Sequence, residues 1–264
     1  MQTIGINIDA YKGLELEEYV RTIKALGFGA TFSGCQRTGF ADTRRLAELC
    51  AKHGINYEAM HTPFRAINHM WADTEAGEAM LYSIMQCVDE CHEAGVGIAV
   101  VHLSSGDNAP TITDIGRARY ERLVDYAAKK NVKIAFENQR KLANLSWALE
   151  MFGSDVAGFC WDCGHEQCFT PGREYMPLFG DRLICTHIHD NDGVYNNDQH
   201  RLPFDGVLSA ERYARHMAIS PYGGTLMLEV FATAEDRTLS PYAYLEKAAN
   251  AAKRLASAVE SARG

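Results

Sequence analysis

Eight short apolar runs alternate with amphipathic segments along the chain, and this alternation constrains the fold more than any other feature of the sequence. Short apolar runs bounded by turn residues are typical of buried strands, and their alternation with helices is typical of a parallel sheet. The predicted strands cover residues 4–8, 30–33, 56–61, 97–103, 133–137, 157–162, 184–189 and 225–231.

The segments between these runs leave room for a helix after each strand. Apolar residues recur with the helical period from Leu16 to Leu26, and Gly27 is predicted to end the first helix. Asp42 is a predicted N-cap of the second helix, and Gly54 a predicted stop. Further helices are predicted at residues 74–95, 114–130 and 241–258, with shorter ones at 146–152, 175–178 and 210–217.

The number of strand–helix units predicts a single (β/α)8 TIM barrel, an α/β fold with a parallel eight-stranded sheet. The length of 264 residues agrees, because barrels of this type need about 250 residues, and one domain covers residues 1–264. An open doubly wound sheet is the alternative. The segment after the first strand carries one glycine, Gly13, where a dinucleotide-binding turn needs several, so this alternative is disfavoured.

The charge of the chain argues against several classes of function. The formal net charge is -8, and the lysines and arginines form no run, so no nucleic-acid partner and no anionic-membrane surface is expected. The amino terminus lacks a basic stretch followed by a long apolar segment, and no apolar run approaches the length of a membrane span. We therefore expect a cytoplasmic enzyme or binding protein, compatible with a homo-oligomer.

The 8 cysteines lie mostly within predicted helices and strands, without the spacing of a disulfide-rich domain, so free thiols are expected. Cys160 and Cys163, with Cys168 nearby, suggest half of a zinc site. The separation of Cys160 and Cys163 places them on opposite faces of the predicted sixth strand. This argues against a cysteine–zinc site.

Acidic residues and histidines stand at the carboxyl ends of the predicted strands from the third to the eighth. In strand order they are His61, His102, Glu137, Asp162 with His165, His187 with His189, and Glu229, and the loop after the seventh strand adds Asp198 and His200. A TIM barrel carries its catalytic residues at this end of the strands. Because a lone buried carboxylate is costly unless it is paired or bound to metal, we interpret these residues as one site.

Four of these residues form a predicted metal site: Glu137, Asp162, His187 and Glu229. Three carboxylates and one imidazole suit Mn²⁺, Mg²⁺ or Co²⁺ and are compatible with Zn²⁺, so one divalent ion is expected. The segment 185–200 also has a simpler explanation as a polar loop with several Asx turns.

Several other residues around the predicted site are open to more than one interpretation. His61 and His102 are interpreted as hydrogen-bonded walls of the pocket rather than as metal ligands. Asp198 and His200 either close the loop over the pocket or contact a ligand or substrate. Three aromatic residues are interpreted as packing rather than recognition: Trp161, Phe64 and Phe231.

Five short motifs follow one another at the strand ends: Glu137-Asn, Trp-Asp162-x-x-His165, His187-x-x-Asp190, Asp198-x-His200 and Leu-Glu229. As a set they resemble the xylose-isomerase-like barrel superfamily, and the resemblance spans the whole chain. That superfamily holds sugar and sugar-phosphate isomerases and epimerases, ketose 3-epimerases, inosose-processing enzymes and the endonuclease IV group.

The resemblance implies roles for individual residues. Glu137, Asp162, His187 and Glu229 match the metal ligands of the family, and Glu137 and Glu229 also match its proton-transferring catalytic carboxylates. The first histidine of the His-x-x-Asp motif is the ligand, so His189 is expected either to contact the metal ligands from outside or to be structural. His165 matches a histidine that contacts substrate in the epimerases. Apart from the resemblance, substrate contacts are also predicted for His61, His102, Asp198, His200 and Arg201.

The chain departs from the ketose 3-epimerases in two places. The residues after His187 read Ile-His-Asp-Asn-Asp-Gly, without the arginine that those enzymes use on the substrate, and Arg201 lies further along. Phe204 stands where the commoner Pro-Gly-x-Gly turn has glycine. Both changes leave the substrate open.

The sequence thus predicts a metal-dependent isomerase or epimerase of a small polyhydroxy ketone or aldehyde, either free or phosphorylated. One glutamate would remove the proton beside the carbonyl, and the other would return it to the enediolate that the ion stabilises. An inosose-type dehydratase or isomerase would begin with the same proton abstraction. The alternative from another class is an endonuclease-IV-like zinc phosphodiesterase acting on abasic DNA, against which the net charge of -8 stands.

Overall fold

The computed structural model describes residues 2–35 and 42–264, and its strands agree with the eight predicted apolar runs. The strands are β1 (Ile4–Asn7), β2 (Ala30–Gly34), β3 (Asn56–His61), β4 (Ile98–His102), β5 (Lys133–Glu137), β6 (Ala157–Asp162), β7 (Leu183–His187) and β8 (Leu226–Leu228). They form one parallel sheet in the order β7-β6-β5-β4-β3-β2-β1-β8.

The two ends of this sheet meet beyond the last residues of β7. Ile188 N donates a hydrogen bond to Met227 O (2.9 Å), and Glu229 N donates one to Ile188 O (3.0 Å). These bonds bring β7 against β8 and close the sheet. The predicted TIM barrel is confirmed.

The predicted helices are also present, and several end at the predicted caps. They are α1 (Leu16–Ala25), α2 (Thr43–His53), α3 (Glu75–Ala94), α4 (Asp114–Lys129), α5 (Leu142–Met151), α6 (Cys163–Cys168), α7 (Met176–Phe179), α8 (Ala210–Ala218) and α9 (Pro241–Arg263). Asp42 Oδ1 accepts hydrogen bonds from the first backbone N–H groups of α2, and Gly54 ends that helix with φ 67°. Within the described part of the chain, no helix combines the length and the apolar character that crossing a membrane requires.

One prediction about the sixth strand is wrong. Cys163 does not continue β6 but begins α6, because Asp162 caps this short helix and accepts a hydrogen bond from His165 N (2.6 Å). The argument that Cys160 and Cys163 face opposite sides of one strand therefore does not apply. As predicted, no disulfide joins the described cysteines, and all eight are buried.

The barrel interior is lined by a ring of small and apolar side chains, separate from the layer between sheet and helices. This inner ring consists of Ala30, Phe32, Ala59, Val100, Ala135, Cys160, Cys185 and Met227. The register shifts between β6 and β7, where Phe159 pairs with Leu183 but Cys160 pairs with Cys185. This irregularity at Ile184 places Asp162 opposite His187 at the top of the barrel.

Candidate functional site

The barrel brings the four predicted metal ligands together at the carboxyl ends of its strands. Glu137, Asp162 and His187 are the last residues of β5, β6 and β7, and Glu229 directly follows β8. Their candidate ligand atoms all lie within 4.8 Å of one another, and all four residues are buried. We refer to these four residues as the carboxylate cluster.

The distances within the carboxylate cluster show how closely it is packed. His187 Nδ1 lies 2.6 Å from Glu137 Oε1 and 3.2 Å from Glu229 Oε2. Asp162 Oδ2 and His187 Nε2 are buried, and among the described residues neither atom has a hydrogen-bond partner. Buried polar atoms are normally satisfied, and these two atoms are available to a ligand such as an ion.

His61 and His102 lie against Glu137, on the side of the cluster formed by β3 and β4. His61 Nε2 is 3.4 Å from Glu137 Oε2, and His102 Nε2 makes an ion-pair contact with the same oxygen. The two imidazoles are 3.2 Å apart at Nε2. Their positions agree with the expected pocket wall, although with Glu137 they also form a group close enough to hold an ion.

A second group of possible metal ligands lies beside the first, and we call it the histidine cluster. It consists of His165, His189, Asp198 and His200, whose candidate ligand atoms again lie within 4.8 Å of one another. Asp198 Oδ2 is 3.3 Å from His165 Nε2 and 3.2 Å from His200 Nε2. The loop beyond β7 therefore returns to the pocket as the motif predicted.

His189 lies between the two clusters and contacts the predicted ligand Asp162, the first of the two roles expected for it. Its Nε2 lies 3.1 Å from Asp162 Oδ1 and 3.6 Å from Asp198 Oδ1, so it joins the two clusters. The ring stacks on His200 with centroids 4.0 Å apart. A Cβ at Gly164 would overlap the His189 ring, so this approach of α6 requires glycine.

Charges within the carboxylate cluster oppose the effect of burial. Burial alone would raise the pKa of Glu137, but His187 and His102 outweigh it and hold the pKa well below its usual value. Burial alone would lower the pKa of His187, but Glu229 and Glu137 raise it well above the ordinary range. Protonated imidazole and ionised carboxylate thus stabilise each other.

In the histidine cluster, too, neighbouring charges oppose the effect of burial on the pKa values. Burial would lower the pKa of His165, but Asp162 and Asp198 raise it to about 10. The pKa of His200 is raised to about 9, since Asp198 and Glu229 outweigh burial. In return, His165 and His200 lower the pKa of Asp198 against the effect of its burial.

Arg201 is not brought into either cluster. Its guanidinium Nη1 donates a hydrogen bond to Asp205 O (3.3 Å), and its backbone pairs with that of Asp190. The position of the side chain therefore gives no support to the predicted contact between Arg201 and substrate.

Asp190, the acid of the His-x-x-Asp motif, anchors the loop beyond β7. Its buried carboxylate accepts hydrogen bonds from four backbone N–H groups, those of Asn191, Phe204, Gly206 and Leu208. Phe204, in the place of the commoner glycine, has φ 77° and lies under the guanidinium of Arg254 at 3.9 Å. The dense run of Asx residues is the sequence signal of this anchor, because such residues bond to nearby backbone.

Two aromatic rings that were interpreted as packing residues are exposed beside the site histidines. Phe64 is 40% exposed, and its ring centroid lies 4.6 Å from that of His102. Phe231 is 37% exposed and lies 5.2 Å from His200. Trp161 is buried and stacks on Tyr213, as expected for a packing residue.

The fold resembles those of solved structures at low sequence identity. A xylose isomerase-like TIM barrel/4-hydroxyphenylpyruvate dioxygenase fusion protein matches with a TM-score of 0.79 at 17% identity, over 99% of this chain and 43% of that chain. An L-ribulose 3-epimerase matches with a TM-score of 0.77 at 17% identity, over 100% of this chain and 96% of that chain. At this identity the likeness concerns the fold alone.

Two sequence comparisons add to this. An uncharacterized protein of Sinorhizobium fredii, y4fM, is 39% identical over 145 residues, which is 54% of this chain and 44% of that protein, so the match spans less than half of the relative. The family model described as xylose isomerase-like TIM barrel matches residues 18–257. The chain therefore belongs to the xylose isomerase-like TIM barrel family.

Proposed function

We propose that the chain is a divalent-metal-dependent isomerase or epimerase that moves a proton on a small polyhydroxy ketone or aldehyde. The observation that carries the proposal is the carboxylate cluster, in which four buried residues from four strand ends lie within 4.8 Å of one another. Its two glutamates come from β5 and from the end of β8, which are not neighbouring strands. They therefore approach a bound substrate from different directions.

The donor set of the carboxylate cluster fits a divalent cation. Glu137, Asp162, His187 and Glu229 would hold the ion, and the unpartnered Asp162 Oδ2 and His187 Nε2 support this assignment among the described residues. Three carboxylates and one imidazole suit Mn²⁺, Mg²⁺ or Co²⁺ and admit Zn²⁺. When bound, such an ion supplies Lewis-acid polarisation of a substrate carbonyl.

The two glutamates are proposed as the proton-transferring groups. Neighbouring imidazoles lower the pKa of both carboxyls against the effect of burial, so both are in the ionised form that a base requires. Glu137 is 1% exposed, and its Oε2 faces His61 and His102, which can take up or return a proton that Glu137 carries. Glu229 is 8% exposed.

Substrate hydroxyl groups are assigned to the polar side chains around the carboxylate cluster. His61 and His102 contact Glu137, and His165 and His200 are held together by their contacts with Asp198. The exposed rings of Phe64 and Phe231 add apolar surface next to these histidines. Such a mixture of apolar surface and a few convergent polar groups is typical of small-molecule pockets.

Proton exchange with solvent tests the proposal. The full-length protein, loaded with Mn²⁺, is incubated in deuterated water with a panel of free and phosphorylated ketoses and aldoses. We expect deuterium at the carbon beside the carbonyl of at least one sugar, dependent on the ion, and a new stereoisomer or regioisomer by NMR. Loss of water from an inosose would instead identify an inosose-type dehydratase, and no reaction across the panel by the metal-loaded protein would contradict the proposal.

A second candidate function is favoured by the histidine cluster. Together with the carboxylate cluster and the group of His61, His102 and Glu137, it offers three neighbouring sets of ligands. Three zinc ions held in this way would suit an endonuclease-IV-like phosphodiesterase acting on abasic DNA. The net charge of -8 argues against it, because binding several phosphates requires many basic groups.

Metal content and DNA binding separate the two candidates. The isomerase proposal expects one tightly held divalent ion per chain by elemental analysis, and no binding to a duplex with an abasic site at moderate salt. Three zinc ions per chain, together with tight and salt-sensitive DNA binding, would favour the phosphodiesterase.

A further inference from the structure

Two cysteine thiols lie inside the barrel, one layer below the carboxylate cluster. Cys160 and Cys185 are paired across β6 and β7, two residues before Asp162 and His187 respectively. Because side chains two residues apart on a strand share a face, both thiols point toward the barrel axis beneath the cluster. Cys160 is fully buried and Cys185 is 1% exposed.

The two thiols and His187 form a ligand set of a different chemical character. The Cys160, Cys185 and His187 ligand atoms lie within 4.8 Å of one another. Thiolates select borderline and soft ions, whereas the carboxylates above them select hard ions.

His187 is shared between this set and the carboxylate cluster. Its Nε2 is buried and, within the described residues, has no hydrogen-bond partner, while Nδ1 faces Glu137 and Glu229. A fully buried imidazole nitrogen without a partner is costly, and a metal bond would satisfy it.

We propose that Cys160, Cys185 and His187 form a second metal site, which takes thiophilic divalent ions such as Zn²⁺ or Cd²⁺ below the carboxylate cluster. Binding forms two metal–sulfur bonds and one metal–nitrogen bond, and it releases to solvent the two thiol protons and the proton that His187 carries on the nitrogen that binds the ion. Because His187 belongs to both sets, an ion held by the thiols competes with the ion in the carboxylate cluster. Only this competition rests on the proposed function, since the thiol site requires no isomerase activity.

Cadmium binding to the full-length, metal-free protein tests the site directly. We expect the wild-type protein to develop the ultraviolet charge-transfer absorption of a cadmium–thiolate bond. Cys160→Ala and Cys185→Ala should each weaken Cd²⁺ binding by at least about tenfold, since each loses a ligand. Cys50→Ala, which removes a buried thiol of α2 outside the set, is the matched control and should leave the absorption unchanged.

A second measurement on the same variants separates this site from the carboxylate cluster. The Mn²⁺ affinity of Cys160→Ala and Cys185→Ala should stay within about twofold of the wild-type value, because Mn²⁺ prefers oxygen ligands. Circular dichroism establishes that each variant is folded, and Cys→Ser at the same positions serves where alanine does not fold. The proposal would be overturned if the wild type shows no cadmium–thiolate band, or if both variants show a band as strong as that of the wild type. Either result would count whatever the outcome of the sugar assays.

Discussion

His187 Nδ1 lies 2.6 Å from Glu137 Oε1, although the two residues come from strands that are not neighbours. β6 runs between their strands, so the contact crosses the barrel mouth beside Asp162. Both side chains are fully buried, and each charge depends on the other for its stability. The contact commits one oxygen of Glu137 to His187 and leaves Oε2 facing His61 and His102.

Replacing either glutamate with glutamine separates proton transfer from metal binding. Glu137→Gln and Glu229→Gln keep an oxygen that can bind an ion but remove the base. Each should lower the rate of proton exchange with solvent by about 10²-fold or more. The measurement is deuterium incorporation by NMR with the metal content of each variant determined.

Glu48→Gln is a suitable control, because Glu48 is exposed on α2, and it should exchange at the wild-type rate. If both active-site variants, fully loaded with metal, also exchange at the wild-type rate, the two carboxylates do not transfer the proton.

Asp162→Asn should act in a different way, through the affinity for the ion. Asparagine can still cap α6, as Asp162 does through Oδ1, so the fold is expected to persist. The loss of one charged ligand should weaken Mn²⁺ binding by at least about tenfold. Exchange measured over a range of Mn²⁺ concentrations should therefore recover at saturation, in contrast to the glutamine variants. A rate that stays low at saturating Mn²⁺ would show that Asp162 has a further role in the reaction.

Asp190 should matter for stability rather than for chemistry. Asp190→Ala leaves four backbone N–H groups in the 191–208 region without their acceptor. We expect a loss of about 3 kcal/mol or more in the free energy of unfolding, measured by urea denaturation. Asp192→Ala is the matched control, because Asp192 is exposed and accepts from one backbone N–H, of Val194, and one side-chain amide. Asp192→Ala should lower the free energy of unfolding by less than about 1 kcal/mol. An equal decrease in both variants would contradict the anchoring role of Asp190.

The barrel and the meeting of the four predicted ligands could be predicted from the sequence because both depend on local patterns. Apolar runs mark the strands, and parallel strands present their carboxyl ends at one face, so Glu137, Asp162, His187 and Glu229 had to meet there. This meeting could be predicted from the order of the motifs along the chain, without knowing the direction of any side chain.

Features set by register and loop geometry were not accessible in the same way. The irregularity at Ile184 places Cys160 opposite Cys185. No residue type in the sequence predicts this shift in register. The position of His189 between the clusters depends on the close approach of Gly164, a tertiary contact. Arg201 follows His200 directly, yet its side chain bonds to Asp205, which single-residue reasoning about charge does not reveal.

The environment of Glu58 predicts that the stability of the folded protein depends on pH, whatever reaction the protein catalyses. It lies where the register between β2 and β3 shifts, and its carboxyl accepts a hydrogen bond from the Thr225 hydroxyl. Burial and the nearby Cys185 raise the pKa of Glu58 to about 7. The folded protein thus holds this proton more tightly than the unfolded chain, whose value is near 4.5.

The contribution of Glu58 to stability is therefore fully present below about pH 4.5 and is lost as the pH rises through about 7. Glu58→Gln cannot ionise and keeps an oxygen for Thr225. At pH 8 the variant should be more stable than the wild type by on the order of 1–2 kcal/mol, because partial exposure of the carboxyl reduces the full effect of the pKa shift. At pH 4.5 the two proteins should differ little. Urea unfolding of both proteins at the two pH values measures the difference. If the stability of the variant relative to the wild type is the same at pH 4.5 and at pH 8, Glu58 ionises normally.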